Sequence, residues 1–171
     1  NGASHHSPLN AALSVATALY CGCPLNNIKE RLKFIDLPER RLAISNSLRG
    51  SVLIDDSYNS NPASLKNAVD SLEGLKRKKI CILGDMKELG SDSQKIHQEM
   101  YEYISERVDQ IFCIGDEWST CSPNKKQDFT IFENQDDLYS HLISIIDKKT
   151  ILLVKGSRST RMDLLADKLK E

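Results

Sequence analysis

From about Leu42 to the end of the chain, short apolar runs alternate with amphipathic stretches. Val52-Leu53-Ile54, Ile80-Cys81-Ile82-Leu83, Ile111-Phe112-Cys113-Ile114 and Ile151-Leu152-Leu153-Val154 are apolar at every position. Strands of that kind leave neither face for water. Phe129 to Phe132 is a weaker fifth candidate. Between the runs, apolar residues recur at helical spacing: Leu65, Val69, Leu72 and Leu75, then Ile96, Met100, Ile104 and Val108. Leu138, Leu142 and Ile145 mark a third helix, and Met162, Leu165 and Leu169 a last one. Strands buried on both faces and separated by helices predict an α/β fold, a Rossmann-like, doubly wound, mostly parallel sheet with helices on both faces. Two helix starts carry their own signals. Asn61-Pro62 sets a capping side chain before a proline at the first helical position, and Ser91 with Gln94 has the spacing of a capping box.

Residues 1–38 follow a different pattern. Leu9, Leu13, Ala16 and Tyr20 predict one helix, Gly22 stops it, and Pro24 opens a second that carries Ile28, Leu32 and Ile35. The stretch Asp36 to Glu39 is the expected joint between this helical piece and an α/β domain over residues 39–171. With Asn1 in place of an initiating methionine, and a helix almost at once, the chain reads as part of a longer polypeptide.

Composition adds mainly exclusions. Across 171 residues, 40% are apolar and 27% charged, ordinary for a globular domain, and the formal net charge is -1. That charge gives no reason to expect nucleic acid or an anionic membrane as partner. No apolar run approaches the roughly 20 residues needed to span a bilayer. The five cysteines have no paired CxxC spacing, and Cys81 and Cys113 sit inside strand runs, so neither a zinc site nor a disulfide framework is expected. Reduced thiols fit the cytoplasm. His97 and His141 fall beside apolar helix positions and read as surface or packing residues, and Trp118 reads as packing.

Ligands of doubly wound sheets bind beyond the carboxyl ends of the strands, which directs attention to four loops. Asp55-Asp56-Ser57-Tyr58-Asn59-Ser60-Asn61 gathers carboxylates and amides that can take ribose hydroxyls, a base or a phosphate oxygen. Asn61 alone is better read as a cap; the whole cluster favours a ligand. Gly84-Asp85-Met86-Lys87-Glu88-Leu89-Gly90 suits a zwitterion and equally a solvated charged loop. Lys155-Gly156-Ser157-Arg158 can hold an anion at a helix start, but it is not a Walker A loop, and no GxGxxG follows the first strand. The fourth loop is Gly115 to Trp118, where the lone Trp118 reads as packing more readily than as a stacking platform. Spacing alone leads as far as an anionic or zwitterionic ligand site.

Three strings in order, DDSYNSNP at 55–62, LGDMKELG at 83–90 and VKGSR at 154–158, resemble the Mur ligases. They resemble most the branch that joins D-alanyl-D-alanine to a UDP-N-acetylmuramoyl-tripeptide. His6 through Asn10 and the Ala-rich helix resemble the segment closing that family's central ATPase domain, with Ser7 where the family commonly has Asn. Arg41-Leu42 resembles the start of its C-terminal domain. The resemblance implies an ATP-dependent, magnesium-assisted amide ligase that works through an acyl phosphate, with the phosphate loop and metal ligands in parts that residues 1–171 do not contain. By position it assigns Arg41 to phosphate charge, Asp56 to the ribose, and His6, Asn10 and Asn59 to the nucleotide site. Asp85, Met86, Glu88, Lys155, Ser157 and Arg158 would border the incoming dipeptide. It also implies a monomeric cytoplasmic enzyme with no nucleic-acid or membrane partner and an inactive isolated fragment. A sibling Mur ligase, a folylpolyglutamate synthetase and a non-catalytic Rossmann-like binding module are the alternatives.

Overall fold

The computed structural model describes residues 6–33, 39–123 and 128–171, which form two compact units, Asn1–Pro38 and Glu39–Glu171. The first unit contains α1 (His6–Tyr20) and α2 (Leu25–Leu32), and among its described residues Ile28 is buried. Leu13 and Tyr20, on the stripe predicted to be apolar, are exposed. Ile35 and most of the expected joint lie outside the described residues.

In the second unit, β1 (Ala43–Asn46), β2 (Val52–Asp56), β3 (Lys78–Gly84), β4 (Gln110–Ile114), β5 (Asp128–Phe132) and β6 (Thr150–Lys155) form one six-stranded sheet ordered β1-β2-β6-β3-β4-β5. Only β1 runs antiparallel to its neighbour. Because side chains alternate along a strand, the all-apolar runs feed two cores. Ile54, Cys81, Leu83, Ile111, Cys113 and Leu153 face one side, against α3 (Pro62–Asp70), α4 (Ser93–Ser105) and Trp118 of the short α5 (Asp116–Ser119). Leu53, Ile80, Ile82, Phe112, Leu152 and Val154 face the other, against α6 (Gln135–Ile145) and α7 (Met162–Leu169). This is the doubly wound arrangement the sequence predicts. No described helix is long and apolar enough to cross a membrane.

Local signals held where they satisfied an otherwise orphaned backbone group. The Asn61 side chain accepts the Ser64 N–H at 2.8 Å, and Ser64 Oγ accepts the Asn61 N–H at 3.1 Å, so a capping box forms around Pro62. The Ser91–Gln94 capping box does not form. Gly90–Asp92 makes a 3-10 turn instead, α4 begins at Ser93, and Asp92 gives no side-chain cap. Helix α3 ends at Asp70, so Leu72 is buried from the following turn and Leu75 is exposed. Strand β1 was not foreseen. Its Ala43 and Ile44 lie exposed on a sheet edge, where backbone pairing to β2 and not apolar burial holds it.

Candidate functional site

At their carboxyl ends β2, β6 and β3 lie side by side, and β6 sends its chain to the opposite face from the other two. The loops leaving them converge on a cleft of about 670 Å³ lined by Asn59, Ser60, Asn61, Lys87, Glu88, Leu89 and residues 157–159 and 161. Two hydrogen bonds stitch its floor. The Ser157 N–H donates to the Asp85 carbonyl at 3.0 Å, and the Lys87 N–H donates to Ser157 Oγ at 2.8 Å. Close approach of the segment after β6 to the end of β3 requires glycine here, because a Cβ on Gly84 would lie 2.4 Å from Thr160 Oγ1.

Beside the cleft lies a buried ion pair. Lys155 Nζ is 2.5 Å from Asp56 Oδ2 and donates a second bond to the Asn59 carbonyl at 2.8 Å. Asp56 Oδ1 accepts the Leu42 N–H at 3.1 Å. Lys155, 2% exposed, thus joins the end of β6 to the end of β2 and to the loop that follows it. Burial pushes the Asp56 carboxyl above its ordinary range, opposed by the Lys155 charge and then the Leu42 N–H. Burial likewise pushes the Lys155 ammonium down, opposed by Asp56 and assisted by the nearby Arg41 charge. Neighbouring Asp55 is spent on structure, since it accepts from Ser57 and from Lys170 Nζ at 2.9 Å.

Arg41 is exposed, its guanidinium 4.7 Å from the Tyr58 ring centroid. The residues on either side of it hold left-handed backbone conformations, Arg40 at φ 61° and Leu42 at φ 52°. A non-glycine residue there costs on the order of 1–2 kcal/mol, which the surroundings must offset. They do so with three bonds: Tyr58 N–H to the Arg40 carbonyl (3.2 Å), Leu42 N–H to Asp56, and Arg40 Nη2 to Asp167 (2.9 Å). Arg41 is therefore presented outward from a braced turn.

The set of residues proposed from sequence divides accordingly. Arg41, Asp56 and Asn59 come together, with the Asn59 carbonyl and side chain linking the ion pair to the cleft. The side chains of His6 and Asn10 lie outside the described residues. Glu88, Ser157 and Arg158 line the cleft. Three expected border residues are buried instead. Met86 is 0% exposed in the core, because its N–H pairs inward with His97 Nε2. Asp85 turns toward Gly115 and the Trp118 N–H and pairs with Lys87 at 2.9 Å. Lys155 is drawn to Asp56. His97 and Trp118 pack edge to face at 4.7 Å, as packing residues do.

Sequence reasoning named Arg158 but missed Arg40, Arg161 and the carboxylate they share, Asp163. This buried carboxylate lies 3.5 Å from Arg40, 3.3 Å from Arg158 and 3.5 Å from Arg161. Arg158 and Arg161 rim the cleft. Their spacing was a visible signal, but Arg161 reaches the rim through a left-handed backbone (φ 51°) that no pattern announces. Among the described residues no cluster of three or more His, Cys, Asp or Glu suits a metal ion.

Comparison with known proteins agrees with this geometry. Residues 40–158 match the family described as Mur ligase, glutamate ligase domain. The UDP-N-acetylmuramoyl-tripeptide–D-alanyl-D-alanine ligase of Haemophilus influenzae is 32% identical over 97% of the chain, which covers 37% of that relative. A crystal structure of MurF from Acinetobacter baumannii superposes with a TM-score of 0.84 at 30% identity, over 97% of this chain and 38% of that one. The MurF ligase of Thermotoga maritima in complex with ADP gives 0.80 at 23% identity, over 96% and 38%, a likeness of fold. The chain thus spans little more than a third of the relatives it matches. With the family match covering well over half of its residues, the chain belongs to the Mur ligase family.

Proposed function

We propose that the chain is the C-terminal portion of an ADP-forming ligase that joins D-alanyl-D-alanine to UDP-N-acetylmuramoyl-tripeptide. Residues 1–38 would then be the helical end of its central ATPase domain. The carrying observation is the pairing, at the ends of β2, β3 and β6, of an outward-braced Arg41 beside the Asp56–Lys155 pair with a cleft rimmed by cations. In the reaction, a tripeptide carboxylate oxygen attacks the γ-phosphorus of ATP and ADP departs. The dipeptide amine then attacks the acyl carbon, phosphate leaves and the nitrogen loses a proton.

Such a transfer needs charge compensation and a firmly placed amine. Arg41 supplies positive charge to the phosphoryl group. Asp56 takes the ribose with the lone pairs that Leu42 and Lys155 leave free, and Asn59 flanks the nucleotide. Lys155 supports Asp56 and the 59–61 loop and does not border the dipeptide. In the cleft, Lys87, Arg158 and Arg161 suit a carboxylate and Glu88 an ammonium, the two ends of a dipeptide. Asp85, Met86 and Ser157 form the floor beneath them. Magnesium does not fit these side chains, since Asp55 and Asp56 both already have ammonium partners, so no step runs through it. The enzyme would act as a monomer in the cytoplasm.

Phosphate release by the longer protein containing this chain, supplied with ATP and UDP-linked tripeptide, tests the reading. Release is expected only when D-alanyl-D-alanine is present. Release driven by a single amino acid would assign the chain to a sibling ligase or a folylpolyglutamate synthetase, and none with any amine would favour a binding module. The 171-residue chain alone should release none and bind ATP weakly; nanomolar binding would refute that division of labour.

A further inference from the structure

The net charge of -1 conceals a strong segregation of charge. At the amino-terminal edge of the sheet, opposite the cleft, the chain enters β3 through Lys76, Arg77 and Lys78, enters β6 after Lys148 and Lys149, and enters β2 after Arg49. The three entries are neighbours in space. The Lys78 N–H donates to the Lys149 carbonyl at 2.8 Å, and a Cβ on Gly50 would lie 3.4 Å from that of Lys148. With strands about 4.8 Å apart, the six cations share an edge roughly 10 Å across, within a Debye length at physiological salt.

All six are exposed, and among the described residues none forms an ion pair. The cations of the opposite edge, by contrast, are engaged: Arg40, Lys87, Lys155, Arg158 and Arg161 all have carboxylate partners. Acids in the flanking segments offset the edge only in part: Asp147, which accepts the Lys149 N–H and the Thr150 hydroxyl, also feels the Lys149 and Lys78 charges, and with Asp109 and the exposed Glu73 it sets three carboxylates against six cations. Since the whole chain is almost neutral, the remaining surface carries the compensating excess of acid, so the molecule is electrically polar.

We propose that this edge is a docking surface for an anionic lipid bilayer. The six cations rise from three strand entries lying side by side, so they meet a flat charged plane together. No aromatic side chain stands among residues 47–50, 73–79 and 146–149 to stack on single-stranded bases, and no helix projects there to enter a groove of duplex nucleic acid. Leu75, 41% exposed beside Lys76, adds an apolar contact suited to the lipid interface. Docked this way, the cleft lies about 20 Å away at the far end of the strands, given 3.3 Å per residue along β6, and stays open to solution. The inference does not depend on the ligase reading.

The 171-residue chain is tested by sedimentation with vesicles of phosphatidylcholine containing phosphatidylglycerol, and with phosphatidylcholine alone, at low and high salt. Binding is expected for the anionic vesicles only, and should vanish at high salt. Each neutralised cation near the surface should weaken binding roughly five-fold, so Lys148→Gln/Lys149→Gln should weaken it roughly 25-fold. Lys66→Gln/Lys95→Gln removes as much charge from exposed sites on α3 and α4 and should change it less than about two-fold. Native Trp118 fluorescence in both variants shows that the fold survives. Absence of vesicle binding, equal losses in the two variants, or displacement of the chain from vesicles by duplex DNA would each overturn the proposal.

Discussion

Replacing Lys155 with methionine isolates the cost of a buried charge left alone. Methionine fills most of the lysine stem, so packing changes little. Asp56 loses the ammonium 2.5 Å away and keeps the Leu42 N–H as its remaining donor. Removing one partner of a buried pair costs roughly 3–5 kcal/mol, most of it from stranding the other charge. Asp56 retains 12% side-chain exposure, so the lower end, about 3 kcal/mol, is expected. Trp118 is the one tryptophan, fully buried in the sheet unit, and its fluorescence reports unfolding of that unit alone. With a urea slope of about 2 kcal/mol/M, the midpoint should fall by roughly 1.5 M at pH 7.

The pH dependence has a definite sign. Burial already raises the Asp56 carboxyl, and loss of Lys155 removes the main opposing charge, so protonation becomes easier still. The penalty is present where Asp56 is ionised and is relieved as pH falls through its folded pKa. Asp56→Asn/Lys155→Met, which strands no charge, should recover roughly half of the lost stability. A single-variant loss below about 0.5 kcal/mol, or a double variant no more stable than the single, would refute the buried-pair argument.

Two further outcomes follow from burial and pairing. In the native chain, a thiol reagent at mildly alkaline pH should modify the exposed Cys21 and Cys23 promptly and the remaining three cysteines only on unfolding, because burial raises Cys81 to about 12 and Cys121 to about 11; prompt modification of four or five would contradict the packing. Asp167 is pulled up by partial burial, but the bonds from Arg40 and Lys170 outweigh this and hold its carboxyl below the ordinary range. Its stabilising contribution is therefore present above the unfolded carboxyl pKa and lost as pH falls through the folded one. Asp167→Asn should lower the thermal midpoint at neutral pH and not in strong acid, and an equal loss at both would refute the assignment.

What the sequence determined is what repeats along it. Runs such as Ile80 to Leu83, apolar at every position, have one physical solution, a strand covered on both faces, and this fixed the doubly wound sheet. Asn61-Pro62 fixed a helix start because its cap satisfies a backbone donor within three residues. Ordered strings in the loops pointed to the family. Tertiary structure decided everything that depends on partners distant in sequence. Lys155 and Asp56 are 99 residues apart, and only the parallel pairing of β2 with β6 sets the ammonium on the carboxylate and removes it from the cleft. Met86 looks like a loop residue until His97 draws its N–H inward. The braced turn around Arg41, the arginines about Asp163 and the basic edge all depend on through-space neighbours. Net charge, a sum over the chain, hid the last of these entirely, because electrostatic attraction depends on where charges stand and not on their total.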